Sequence, residues 1–209
     1  ESKVYEELTE YLCIMSVFGT RVIAPPVVLN LTIANVVVFL ATELLGNDMI
    51  EFALFNVDLR YISPDATLFN WWQPVTYMFM HGGFSHLFFN MFSLYMFGRV
   101  LESYWGSKRF FIYYFVAGIG GALFYLLVKE IEMQVLMSSM SHEAIEEVMR
   151  NGADILMQGK NYMMPELGKL NLVLNIPCVG ASGAIYGLLL AFGIMFPNVE
   201  MYIYFAFPV

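Results

Sequence analysis

Residues 180–187 read Gly180-Ala181-Ser182-Gly183-Ala184-Ile185-Tyr186-Gly187, a serine set between glycines inside an apolar run spanning 179–196. A run of roughly this length enters a bilayer as a helix. A second run, 78–100, carries His81, His86 and Asn90. Hydroxyl, imidazole and amide groups at membrane depth must find partners, and a charged side chain at a helix centre costs about 2.5 to 3.5 kcal/mol on insertion scales. Polar side chains kept there point to chemistry.

Composition agrees with a membrane setting. The 209 residues are 59% hydrophobic, 17% aromatic and 13% charged, too little polar surface for a water-soluble core of this size. A net charge of -8 without a Lys/Arg cluster excludes nucleic acid as a partner. Cys13 and Cys178 lie far apart in the expected topology and read as packing residues, so neither a disulfide framework, a metal site nor a cofactor is expected. The sequence opens on Glu1 rather than methionine and is expected to have been trimmed or processed.

Four segments have the length of a spanning helix: 27–45 after Pro25-Pro26, 78–100, 110–128 and 179–196. They predict an all-α polytopic membrane protein with four complete transmembrane helices. Residues 25–209 form the membrane domain. Residues 1–24 read either as an extension or as an interfacial helix, with Val4, Leu8, Tyr11, Leu12 and Met15 on one stripe and Glu6, Glu7 and Glu10 away from it.

Basic residues set the orientation. Arg99, Lys108 and Arg109 against Glu102 mark the connection between the second and third helices as cytoplasmic. The N-terminus is then cytoplasmic, and loops 46–75 and 129–172 face the exterior. The first loop carries Phe69, Trp71 and Trp72, suited to the interface. The second holds an amphipathic helix from near Ser141, with Ile145, Val148, Met149, Ile155 and Leu156 on its apolar side and Gly159 as a stop. That helix is expected to lie flat on the outer surface, with His142 solvated.

His86 and Ser182 then enter from the same side, each roughly 8 to 10 Å below its helix entry at 1.5 Å per residue. One cavity open to the exterior could hold both. His86 and Asn90, four apart, share a helix face, while His81 is expected to point elsewhere. Packing offers a rival account of each feature. Gly183-xxx-Gly187 and Gly118-Ile119-Gly120-Gly121 suit close helix approach, Ser182 could bond its own helix backbone, and His86 with Asn90 could clamp two helices. The coincidence of serine, histidines and asparagine at one depth favours a site.

These residues resemble the rhomboid family of intramembrane serine proteases. His81-Gly82-Gly83-Phe84-Ser85-His86-Leu87-Phe88-Phe89-Asn90 is similar to the family's second-helix motif, and Gly98, Glu102 and Gly106 follow its GxxxExxxG pattern. Gly180-Ala181-Ser182-Gly183 is similar to the GxSG nucleophile motif. Trp72-Gln73 departs from the family's usual Trp-Arg. The resemblance covers residues 25–209 and implies a rhomboid-like helical bundle.

It also implies roles. Ser182 would be the nucleophile. His86, Asn90 and the Ser182 amide would form the oxyanion hole. His81, Gly180, Gly183, Tyr186 and Glu102 would support them, Tyr186 lying against the catalytic histidine and Glu102 anchoring the cytoplasmic helix ends. The family's base is a histidine on its sixth helix, and residues 201–209 reach at most the approach to a fifth. The expected activity is cleavage of transmembrane segments of membrane proteins in the lipid bilayer, by a metal-free Ser-His acyl-enzyme mechanism with the base supplied from beyond residue 209. The 209 residues alone are expected to be inactive until the downstream helices are restored in cis or supplied as a complementing chain. The alternative is a catalytically inactive rhomboid-like protein that binds or routes membrane clients.

Overall fold

The computed structural model describes residues 25–54, 70–198, 202–203 and 207–208. The expected interfacial helix in 1–24, with Cys13, and Phe69 lie outside them. Helix α1 (Pro26–Leu45) begins where Pro25-Pro26 demand it, since proline has no N–H to leave unpaired at a helix start. The next two N–H groups are taken by one side chain: Glu102 accepts from Val27 N at 3.0 Å and from Val28 N at 2.8 Å. Glu102 is 2% exposed and also accepts from Ser107 Oγ at 2.7 Å. A buried carboxylate at a helix N-terminus opposes the positive end of the helix dipole. Here it fastens three helix ends together.

After α1 the chain makes a 3-10 turn (Gly46–Phe52), and beyond the loop come α2 (Gln73–Thr76) and a second 3-10 turn (Tyr77–Phe79). Gln73 donates to Glu51 O at 2.9 Å and Thr76 to Phe52 O at 2.7 Å, which fixes this segment to the end of α1. Helix α3 (Phe84–Ser93) runs through a π turn (Leu94–Gly98) into α4 (Arg99–Trp105), so helical backbone is unbroken over 84–105. Its start is later than the expected 78, because the Gly82-Gly83 pair separates His81 from the helix. Arg99, expected in a cytoplasmic connection, is buried within this helix, with its Nη1 donating to Tyr95 Oη at 3.2 Å. Only Gly106, at φ 80°, separates α4 from α5 (Ser107–Ser138).

Helices α1 and α5 have the length and composition to cross a membrane, with 20 and 32 residues. Only 22% and 17% of their most apolar windows is buried, unlike the core helix of a soluble protein. Leu44 is 85% exposed, and Val37, Leu40, Val116, Leu123 and Phe124 are also exposed. Such surfaces need lipid. Helix α8 (Ser182–Met195), the last among the described residues, has 14 residues and is only about 21 Å long, short of a hydrocarbon core about 30 Å thick. Residues 202–203 and 207–208 pair as β1 and β2, antiparallel, rather than opening a further helix.

The core of the bundle gathers Leu94, Leu101, Phe110, Tyr114, Ala184 and Leu188. Helices α5 and α8 approach through small residues: a Cβ on Gly121 would stand 3.2 Å from Gly183 Cα, and one on Gly187 would stand 2.6 Å from Ala117 Cβ. Tyr113 Oη donates to Gly187 O at 2.8 Å across the same seam. Close backbone approach of this kind is what drives helix association in lipid.

Helix α5 outlasts the expected 110–128 span by ten residues. That tail meets α6 (His142–Met157) and α7 (Pro165–Asn175) in a second core of Met133, Met137, Ile145, Val148, Leu170 and Val173. Ser141 caps α6, accepting from Ala144 N at 3.3 Å, and Gly159 turns the chain at φ 69°. The centre of the α6 apolar stripe, at Ile145 and Val148, is therefore spent on protein rather than laid flat on lipid. Its partner was the α5 tail.

Glu102→Ala should lower stability by about 2 kcal/mol, since one buried donor, Val28 N, and two half-buried ones, Val27 N and Ser107 Oγ, lose their acceptor. Unfolding in mixed micelles measures this. An unchanged midpoint would show that water or another group replaces the carboxylate.

Candidate active site

Ser182 is reached by non-helical chain. Between α7 and α8, Cys178 and Leu54 exchange backbone bonds at 2.8 and 2.9 Å, and Gly180 N–H donates to Tyr77 O at 2.9 Å. Irregular backbone at membrane depth is tolerated only where protein pairs its polar groups. Ala181 is the N-cap of α8 and Ser182 its first residue, with Ile185 N bonding back to Ala181 O at 3.0 Å. The N–H groups of Ser182, Gly183 and Ala184 have no earlier carbonyl within the helix to pair with. They present the positive end of α8 to any developing anion. The expected helix start at 179 and the depth counted from it are thus corrected: a non-helical segment that turns at Gly180 and Ala181, not helical rise, sets the level of Ser182. Back-bonding to the helix, the rival account of the serine, has no preceding turn at this position.

The facing wall comes from α3. A Cβ on Gly180 would lie 2.7 Å from both Cε1 and Nε2 of His86 and 3.8 Å from Asn90 Nδ2, so both side chains are set against the Cα of Gly180. Gly180 has φ 116°, a conformation that favours glycine independently of the crowding. Asn90 Nδ2 donates to His86 O at 2.8 Å, which engages one of its two N–H bonds. His86 is half-buried and Asn90 buried.

His81 does not point away. Its ring packs edge-on to His86 at 5.1 Å between centroids, with Nδ1 3.2 Å from Phe79 O and a buried Nε2 that has no partner among the described residues. Helical spacing misjudged it because the intervening Gly82 precedes the helix. Tyr186 is 71% exposed on α8. His142 sits on α6, exposed, 3.4 Å from Glu146. Glu102 lies at the α1, α4 and α5 ends, apart from this cluster. Sequence reasoning missed Tyr77 and Leu54, which pair the chain before Ser182 through backbone groups that any residue type could supply.

Residues 68–209 match the Rhomboid domain. This chain belongs to the rhomboid family. It is 41% identical over 51 residues to the putative rhomboid protease YdcA of Bacillus subtilis, covering 24% of this chain and 26% of that protein. With Rhomboid-like protein 16, chloroplastic, of Arabidopsis thaliana it shares 26% identity over 176 residues, 84% of this chain and 46% of the relative. With Inactive RHOMBOID-like protein 8 of the same plant it shares 39% over 56 residues, 27% and 16% of the two chains. The rhomboid chain thus spans less than half the length of each of these relatives. Family membership and the exposed apolar helices give an integral membrane protein, in a family that holds proteins named as proteases and one named inactive.

Gly180 and Gly159 make a controlled pair for mutation. Both have positive φ, but a Cβ on Gly159 meets nothing within 4 Å. Gly159→Ala should therefore cost only backbone strain, about 1 to 2 kcal/mol. Gly180→Ala adds a collision with the His86 ring and should cost at least about 1 kcal/mol more in the same unfolding assay. Equal costs would mean that His86 swings clear of Gly180.

Proposed function

We propose that the complete protein is an intramembrane serine endopeptidase that cuts transmembrane segments of other membrane proteins. The observation that carries the reading is the meeting of the Gly180-Ala181-Ser182-Gly183 turn with His86 and Asn90 at the N-terminal end of α8. Ser182 Oγ attacks the scissile carbonyl carbon. The oxyanion that forms is held by the Ser182 N–H, the Asn90 amide and the His86 ring, donors fixed before the reaction begins. A histidine supplied from beyond Val209 takes the hydroxyl proton and passes it to the leaving amine. The same histidine then activates the water that hydrolyses the ester. His81 buttresses His86, and Glu102 holds the helix ends.

A second reading is a rhomboid-like protein without activity, which binds or routes membrane clients. It draws on the relative named inactive and on the histidines: of the three in the chain, His81 lies against His86 and His142 against Glu146. In the complete protein a fluorophosphonate should label the parent and not Ser182→Ala. Asn90→Ala and His86→Ala should each lower turnover about a hundredfold to a thousandfold on a transmembrane substrate. Labelling of Ser182→Ala equal to the parent would refute the nucleophile, and parent-rate cleavage by Asn90→Ala would remove it from the oxyanion hole.

The site opens to the exterior and the N-terminus is cytoplasmic, a reading supported by the exposed Lys108 and Arg109 at the start of α5. Cysteine at Lys160 should react with an impermeant maleimide added to intact cells, and cysteine at Lys108 should not. The opposite pattern inverts the topology.

A further inference from the structure

We propose that Tyr77 is a positioning residue for Ser182, acting with Gly183 as a coupled pair; this rests on the assignment of Ser182 made above. Tyr77 touches the chain on both sides of the serine. Its carbonyl accepts from Gly180 N at 2.9 Å, two residues before Ser182. Its hydroxyl donates to Gly118 O on α5 at 2.7 Å. That same oxygen stands 2.9 Å from where a Cβ on Gly183 would be, one residue after Ser182.

Tyr77 is itself buried, so no water competes for the hydroxyl, and in low dielectric a satisfied bond of this kind is held firmly. The phenol therefore acts as a spacer between α5 and the first turn of α8. Without its oxygen the start of α8 gains room beside Gly183 and loses a reference point on α5. The serine hydroxyl and amide would then lose their alignment, and a misplacement of about 1 Å costs up to about a hundredfold in rate. The spacer also explains the glycine. Other neighbours of a Gly183 Cβ, Gly118 O and Gly121 Cα, stand at 3.7 Å, an ordinary contact distance. Only the Tyr77 oxygen forbids a methyl group there.

A double-mutant cycle on the complete protein tests the pair: Tyr77→Phe, Gly183→Ala and both together, read by fluorophosphonate labelling rate, by kcat and KM on a transmembrane substrate, and by unfolding midpoint. Tyr77→Phe should lower kcat and labelling about tenfold to a hundredfold with KM held within about twofold. Gly183→Ala should be worse, and the double variant should recover by about fivefold or more over Gly183→Ala because the colliding oxygen is gone. Parent kcat in Tyr77→Phe, or a double variant equal to the product of the single losses, would overturn the proposal. If the parent itself is not labelled, the assignment of Ser182 has failed. The contact is then read from the midpoints: destabilisation of Gly183→Ala relieved by Tyr77→Phe upholds the spacer, and additive midpoints overturn it.

Discussion

Backbone N–H and C=O groups out of reach of water must be paired by protein, and this requirement falls hardest on the six residues between α7 and α8. They have left one helix and not yet entered the next. Leu54 and Tyr77 supply the missing partners, and each belongs to the segment linking α1 to α3. Gln73 and Thr76 tie that segment to the end of α1. Strip away this pairing and the chain before Ser182 would have to become helix, as its apolar composition invites. The serine would then sit inside a helix instead of at its open end, with its amide bonded and unavailable.

Glycine does the complementary work. At Gly180 the absence of a side chain admits the His86 ring, at Gly183 it leaves room for the Tyr77 oxygen, and at Gly121 and Gly187 it lets α5 and α8 touch. The packing and chemical accounts of these glycines are therefore not rivals. Close approach is how the site is assembled.

What could be read from sequence followed from periodicity and from residue types scarce in lipid. The α1 and α5 spans, the start of α6 near Ser141 and the stop at Gly159 are local statements, each decided within a few residues, and they appear in the structure. His81 and the start of α8 are not legible from helical spacing for one common reason: the backbone is not helical across the glycines beside them. The α6 stripe reads as a membrane-facing surface because the α5 tail that covers it continues past the apolar run. Tyr77 was invisible, since one tyrosine among thirteen in an aromatic-rich chain carries no mark of what its hydroxyl meets.

The second core has a bearing on how such a chain could be altered. Its α5 tail and α7 lie side by side, Met133 and Met137 packing against Leu170 and Val173, so the polypeptide returns beside the path by which it departed. An excursion whose two ends are neighbours imposes little loop-closure entropy on the bundle beneath, because that cost grows only slowly with length. The unit formed by α6, α7 and the α5 tail is in this sense a graft: it carries its own apolar interior, and the bundle needs from it only that the chain re-enter at Cys178 in register with Leu54.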